Sequence, residues 1–315
     1  MAHLDSEHRA EVVSAGAMLR ELAETQRNPA PGQGQEPAGP DTSHEPSCTV
    51  PVLRWHTLRP DRYRAALKAG ELECGIYVGE QWHRGKPTVV FIHGAAGAPS
   101  QFADLARLLG PTNCAAFLWD DKARLAPTAE VLRGALLRLP GRVTIVAYSM
   151  GALLPAYLGA TDRRGRLRSL AAVYLNPLIG GSRYAGDFRV LRWLRVGPAL
   201  QRVFFPPSFL DLAPEGDFQQ AICGRSGARS SFVAHTVLLF TEKRGKEPDI
   251  RPARVPHYFG RTRQELLDRF GSVVAVPPLH AYGHAAPLLE PNLVLPILER
   301  LVDRSVAAHR PRVGA

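Results

Sequence analysis

The serine at position 149 lies in a short run that is typical of an enzymatic nucleophile. Small residues flank it in Ala147-Tyr148-Ser149-Met150-Gly151, which follows one apolar stretch and leads straight into another. A strand, a tight turn and a helix in that order form a nucleophile elbow, from which a serine hydroxyl projects at the helix start. Ala147 replaces the first glycine of the usual G-x-S-x-G pattern but keeps the position small. The simpler alternative is that Ser149 caps a helix beginning at Gly151.

A second run with chemical potential is His93-Gly94-Ala95-Ala96-Gly97, which follows the apolar segment Thr88–Ile92. Gly and Ala allow the backbone to pass close to a bound group, so that its N–H donors can face that group. Asp120 and Asp121 follow another apolar segment, and we expect them to cap a helix or face water. We expect His93 to be a structural hydrogen-bonding residue.

Short apolar runs alternate with longer amphipathic runs from about residue 52 onwards, which predicts a mostly parallel sheet covered on both faces. The predicted strands are Gly75–Val78, Thr88–Ile92, Ala115–Trp119, Val143–Ala147, Ala171–Leu175, Thr236–Phe240 and Ser272–Val276. The predicted helices are Ser100–Leu109, Thr128–Leu139, Gly151–Leu158, Thr262–Phe270 and Asn292–Val302. Ligands of such sheets bind at the carboxyl ends of the strands, where both runs lie.

The two loops, in this order, resemble those of the α/β-hydrolase superfamily, and of its lipases and esterases in particular. In that family an H-G-x-x-G loop precedes the serine elbow by about 55 residues, as it does here. A third similarity is the run from Asn176 to Ser182, where lipases often carry T-P-H-x-G-S. The resemblance covers about residues 75–303. It implies an α/β-hydrolase fold with a mainly parallel central sheet flanked by helices, and a helical cap or lid insertion.

The resemblance also implies a mechanism, the cleavage of carboxylic esters through an acyl-enzyme intermediate. Ser149 attacks the carbonyl carbon, and the backbone N–H groups of Ala95 and Met150 form the oxyanion hole. The superfamily order of serine, acid and histidine places the histidine after the last strand. His284 is favoured there because two leucines and a final helix follow it, and His280 is the alternative base.

The acid of the triad is expected in the segment after the strand Thr236–Phe240. Asp249 fits the family pattern because an apolar residue and then a proline follow it, and Glu242 is the alternative acid. The same site could serve a thioesterase, an amidase or an acyltransferase. Outside the enzymes, a non-catalytic member of the fold could bind an apolar ligand or a partner.

The composition divides the chain of 315 residues into a tail and one domain. In residues 1–50 we expect a short polar helix, followed by a disordered stretch rich in Pro and Gly. Residues 52–305 form the predicted α/β-hydrolase domain. Within it, residues 183–231 form the predicted cap or lid insertion, whose arginine-bearing apolar helix could touch a lipid surface transiently.

The formal net charge of +10 comes almost entirely from arginine, which indicates compositional bias rather than a nucleic-acid-binding surface. The four cysteines are too dispersed for a zinc site or a disulfide framework. We expect no cofactor and no metal, a small-molecule or lipid ester as substrate, and no nucleic-acid partner. No signal peptide or apolar membrane span is visible, so we expect a cytoplasmic protein, although export without a cleavable signal would also fit. The oligomeric state has no signature in the sequence.

Overall fold

A central sheet of seven strands organises the described part of the chain. The computed structural model describes residues 50–84, 86–109, 113–162, 164–167, 170–181, 206–213, 216–223, 236–241, 257–258, 261–262, 270, 272–276 and 286–307. The strands of this sheet are β1 (Gly75–Val78), β2 (Thr88–Ile92), β3 (Asn113–Leu118), β4 (Val143–Tyr148), β5 (Ala171–Leu175), β6 (Thr236–Thr241) and β9 (Ser272–Val276). Their order in the sheet is β1-β3-β2-β4-β5-β6-β9. Six strands run parallel, and β1 pairs antiparallel with β3 at one edge. A separate two-stranded ribbon joins β7 (His257–Tyr258) to β8 (Arg261–Thr262).

Helices follow most of the strands. They are α1 (Pro60–Ala69), α2 (Ala103–Leu108), α3 (Leu125–Arg138), α4 (Leu153–Thr161), α5 (Pro207–Leu210), α6 (Asp217–Cys223), α7 (Ala286–Leu289) and α8 (Pro291–Ala307). Short 3₁₀ helices span Trp55–Thr57, Pro99–Phe102 and Ser149–Ala152. Helices therefore alternate with parallel strands, as a doubly covered sheet requires.

Every residue of β2 and β4 is buried, because layers cover both faces of the sheet. Alternate strand residues point to opposite faces. On one face, strand residues such as Ile92 and Ala147 pack with α3, α4 and α6 in the main hydrophobic cluster. On the other face, Phe91 stacks on Phe102 with ring centroids 4.9 Å apart. The sheet is thus a rigid base for the loops at its ends.

The predicted fold class is confirmed: the structure is mixed α/β with a mainly parallel central sheet flanked by helices. Strands β1, β2, β5 and β9 have the predicted bounds, and β3, β4 and β6 differ by one or two residues. The predicted helix at Ser100–Leu109 instead splits into a 3₁₀ turn and α2. Helix α1 was not predicted, because it is short, four of its ten residues are charged and Tyr63 is its one buried residue.

The predicted cap or lid lies largely outside the described residues. The arginine-bearing helix expected within it lies wholly outside them, as do residues 263–269 of another predicted helix. The described residues belong to a compact unit that begins at Val50. The tail at residues 1–50, the domain at 52–305 and the cap at 183–231 remain predictions.

Candidate active site

The carboxyl ends of β2, β4 and β5 bring the two sequence runs together. Ile92 lies opposite Ala147 in the parallel register, and Tyr148 lies opposite Leu175. The glycine-rich loop after β2 and the turn after β4 therefore leave the same edge of the sheet. Ligands of parallel α/β sheets bind at this edge.

Backbone strain is concentrated at this edge. Three non-glycine residues among those described have positive φ: Ala96 at 54°, Ser149 at 53° and Asn176 at 44°. They follow β2, β4 and β5 respectively. A non-glycine residue in the left-handed region costs free energy, and such residues cluster at functional sites. The sequence pattern predicted this strain at Ser149 but not at Ala96 or Asn176.

Ser149 has the backbone that a nucleophile elbow requires. It follows the last residue of β4 directly and is the first residue of the 3₁₀ helix Ser149–Ala152, which continues into α4. The 3₁₀ helix begins at Ser149 itself, two residues before the start at Gly151 that the capping alternative assumed. The side chain is largely buried, with 5% of the residue exposed.

Two glycines allow the elbow and the glycine-rich loop to pack backbone against backbone. A methyl group on Gly151 would lie 2.1 Å from the carbonyl oxygen of His93. One on Gly94 would lie 2.9 Å from Cβ of Ser149. These separations are too short for any side chain, so glycine is required at both positions. The loop backbone therefore lies directly against the serine.

His93 anchors the glycine-rich loop through hydrogen bonds and ring stacking. Its Nδ1 hydrogen-bonds the carbonyl oxygen of Gly94 and its Nε2 hydrogen-bonds Oη of Tyr63, both at 2.9 Å. The ring also stacks on Trp119 at 5.4 Å. Burial lowers the pKa of His93 to about 4, so the ring is neutral near pH 7. Because both nitrogens are engaged, His93 has the structural role that the sequence predicted.

The predicted oxyanion-hole donors lie on the two segments that meet where Gly94 packs against Ser149. Ala95 is an exposed residue in the turn that Gly97 N–H closes on the carbonyl oxygen of Gly94, at 3.2 Å. Met150 lies in the first turn of the 3₁₀ helix, where backbone N–H groups have no acceptor within the helix. Both donors are thus carried by segments that touch at Gly94 and Ser149.

The predicted base and acid lie outside the described residues: His284, His280, Asp249 and Glu242. The strands that precede them are described. In β6 and β9, Thr241 lies opposite Val276, so these parallel strands end side by side at the edge that carries Ser149.

Asp121 and Arg64 contact the glycine-rich loop, and no pattern in the sequence indicated either contact. The Asp121 carboxylate accepts the N–H of Ala96, and Nη2 of Arg64 donates to the Ala96 carbonyl oxygen at 2.5 Å. The expectation that Asp121 caps a helix or faces water did not include this contact, which the partly exposed Asp121 makes with the loop. Asp120, its neighbour, accepts the N–H of Lys122 at 3.0 Å within its own turn. No spacing rule could have found these partners, which lie 25 and 32 positions from Ala96.

The described residues contain neither a candidate metal site nor a candidate membrane span. No group of three or more His, Cys, Asp or Glu side chains within that part of the chain is placed to hold a metal ion. Over the same residues, no helix combines the length and the apolar character needed to cross a membrane.

Solved structures with similar folds include a lipase, lipolytic enzymes and a haloalkane dehalogenase. Lipase B of Aspergillus fumigatus has a TM-score of 0.52 and 14% identity, over 84% of this chain and 62% of that one. Metagenome-derived lipolytic enzymes give a TM-score of 0.48 and 13% identity, over 73% of this chain and 98% of that one. A haloalkane dehalogenase of Agrobacterium tumefaciens has a TM-score of 0.44 and 14% identity, over 71% of this chain and 91% of that one. No protein-family model matches the sequence, and no curated protein is similar to it in sequence.

Proposed function

Since the chain has the α/β-hydrolase fold and carries a serine at the strained turn after β4, we propose that it is a serine hydrolase of carboxylic esters. The observation that carries the proposal is the left-handed backbone of Ser149, at φ 53°, with the loop backbone of Gly94 against its side chain. A serine that served only packing would gain nothing from a strained conformation. The same close approach supports the proposal that backbone N–H groups of the loop serve as oxyanion-hole donors.

In the proposed mechanism, Oγ of Ser149 attacks the ester carbonyl carbon while His284 accepts its proton. The carbonyl oxygen becomes an oxyanion, which the N–H groups of Ala95 and Met150 stabilise. Collapse of the tetrahedral intermediate expels the alcohol, which takes the proton from the histidine, and leaves an acyl group on Ser149. Water then repeats the sequence and releases the acid. Asp249 orients the imidazole and stabilises its protonated form.

The proposed substrate is a small-molecule or lipid ester, and contact with a lipid interface through residues 183–231 is part of the proposal. Preorganised oxyanion donors supply a large part of the rate in such sites, about 3–4 kcal/mol for each donor. Since this chemistry needs no metal or organic cofactor, none is proposed.

The test is hydrolysis of p-nitrophenyl esters from acetate to palmitate by the wild type, Ser149→Ala and the control Ser100→Ala. We expect Ser149→Ala to lose at least about a thousandfold in kcat, because the nucleophile is gone. Ser100→Ala should keep wild-type activity. The chain-length profile distinguishes an esterase from a lipase. A Ser149→Ala variant as active as the wild type, or a folded wild type that cleaves no ester of the panel, would refute the proposal.

The same assay identifies the residues outside the described part of the chain. His284→Ala should abolish activity while His280→Ala keeps it, and the reverse result would make His280 the base. Asp249→Asn and Glu242→Gln decide between the two acids in the same way, because loss of the orienting carboxylate lowers kcat about 10⁴-fold in the best-studied triad.

A further inference from the structure

The turn of the glycine-rich loop holds an alanine where glycine is the usual residue. Gly97 N–H closes a four-residue turn on the Gly94 carbonyl oxygen at 3.2 Å, and Ala96 occupies the third position with φ 54°. Positive φ at the third position is the mark of a type II turn, which favours glycine because a Cβ atom is strained there. Interactions outside the turn must therefore stabilise Ala96.

Two charged side chains from separate elements hold the peptide groups on both sides of Ala96. The Asp121 carboxylate, beyond the end of β3, accepts the Ala96 N–H. Arg64, on α1, donates from Nη2 to the Ala96 carbonyl oxygen at 2.5 Å. Hydrogen bonds with one charged partner are stronger than neutral ones. Asp121 is itself fixed, because its carbonyl oxygen accepts the Ser208 hydroxyl at 2.5 Å.

We propose that Asp121 and Arg64 are positioning residues, which clamp Ala96 and thereby aim the N–H of Ala95 at the substrate oxyanion. The inference rests on the proposed function, since it assigns a purpose to a donor of that site. The peptide between Ala95 and Ala96 is planar and trans, so holding the Ala96 N–H also fixes the direction of the Ala95 carbonyl. With Gly94 held by His93 as well, Ala95 is fixed from both sides.

The Ala95 N–H is the donor that this clamp leaves available. Among the described residues it has no hydrogen-bond acceptor, and Ala95 is exposed. The Ala96 N–H, by contrast, is occupied by Asp121 and cannot serve the substrate. Asp121 thus selects which amide of the turn is presented.

The two charges also balance each other near the developing negative charge. An unpaired carboxylate beside an oxyanion hole would repel the oxyanion, and the Arg64 guanidinium offsets that repulsion. Both charges act at the neighbouring His93, where Asp121 raises the pKa and Arg64 lowers it. Asp121 can therefore position Ala96 because its side-chain oxygen accepts a hydrogen bond, and the negative charge of the carboxylate is not needed for that.

The test compares Asp121→Ala with Asp121→Asn, which keeps an acceptor oxygen without the charge. The control is Asp120→Ala, because Asp120 is the adjacent carboxylate and bonds within its own turn. Kinetics use the p-nitrophenyl ester that the wild type cleaves best. Binding uses an alkyl trifluoromethyl ketone, whose adduct with a serine carries an oxyanion. Hydrogen exchange of residues 93–97, followed by mass spectrometry, reports the clamp without any need for activity.

We expect Asp121→Ala to lower kcat about tenfold with KM nearly unchanged. Misdirecting an oxyanion-hole donor should cost only part of the rate that deleting the donor would cost. The trifluoromethyl ketone should bind about tenfold more weakly, and exchange of the Ala96 amide should accelerate. The kcat of Asp121→Asn should remain within about threefold of the wild-type kcat, and the kcat of Asp120→Ala should equal the wild-type value. Arg64→Ala should lower kcat with the same unchanged KM.

Two results would overturn the inference while leaving the proposed function in place. One is an active Ser149-dependent enzyme in which Asp121→Ala and Asp120→Ala have equal kcat. The other is an Asp121→Asn variant as slow as Asp121→Ala, which would exclude positioning through the acceptor. If the wild type cleaves no ester, the proposed function fails. Unchanged exchange of the Ala96 amide in a folded Asp121→Ala would then refute the clamp separately.

Discussion

Replacing Gly151 by alanine should damage both stability and activity, through a single steric contact. The added methyl group would lie 2.1 Å from the carbonyl oxygen of His93, whereas real Cβ atoms essentially never approach closer than 3.0 Å. The elbow and the loop must therefore separate by almost 1 Å. A rotamer change cannot relieve the contact, because His93 contributes a backbone atom and its ring is tethered to Tyr63 at 2.9 Å.

We expect Gly151→Ala to lower the free energy of unfolding by about 3 kcal/mol, at the upper end of the range for overpacked sites. A displacement near 1 Å at a reacting centre costs about 100-fold in rate, so kcat/KM should fall by that order. Denaturation in urea followed by circular dichroism measures the first quantity, and ester hydrolysis measures the second.

Gly134→Ala is the matched control for this experiment. Gly134 lies within α3, and its added methyl group would meet only the end of the Arg138 side chain, at 3.8 Å. Because alanine is the better helix former, this variant should be more stable by about 0.5–1 kcal/mol and fully active. A Gly151→Ala variant as stable and active as the wild type would refute the close packing of loop and elbow.

The strain at Ser149 predicts that Ser149→Gly is more stable than Ser149→Ala by about 1 kcal/mol in urea denaturation. Both variants lack the hydroxyl, and only alanine is strained at the positive φ of 53°. Equal stabilities of the two variants would contradict the strain. The pKa of His93 near 4, against an ordinary value of 6.5, means that the unfolded state binds the proton more tightly between these values. Stability should therefore fall as the pH drops through this window, by about 2 kcal/mol between pH 6.5 and 5. His93→Gln should lack that portion of the loss, and identical pH profiles for the two proteins would refute the assignment. Asp211 accepts hydrogen bonds from Arg124 at 2.6 Å and from the Leu125 N–H at the start of α3 at 2.8 Å, so Asp211→Ala should lower the free energy of unfolding by about 1–2 kcal/mol. Asp104→Ala, at an exposed ion pair, should change the free energy of unfolding by less than about 0.5 kcal/mol, and a larger effect there than at Asp211 would contradict this reasoning.

The central sheet could be predicted from the sequence because its strands are continuous apolar runs. In β2 and β4 every residue is buried, and apart from one threonine in each strand all residues are apolar or aromatic. The elbow at Ser149 was equally visible, since the small residues required by the turn occur at fixed positions around the serine. In both cases the residue types within a short stretch of sequence were enough to predict the local structure.

The clamp on Ala96 could not be predicted, because it depends on contacts between distant parts of the chain. Alanine has no preference for positive φ, so nothing in the local sequence marks the turn as strained. Its partners Arg64 and Asp121 lie on separate elements, and α1 itself is short and rich in charged residues. Their role emerges only once the sheet has placed β2 beside β3.

The most direct test of the central claim is covalent labelling of the folded protein with a fluorophosphonate, followed by peptide mapping in a mass spectrometer. The account predicts a single phosphonyl adduct on the peptide that contains Ser149, and no adduct in Ser149→Ala or in heat-denatured wild type. A folded wild type that stays unmodified, or that carries its adduct on another serine, would contradict the assignment of Ser149 as the nucleophile.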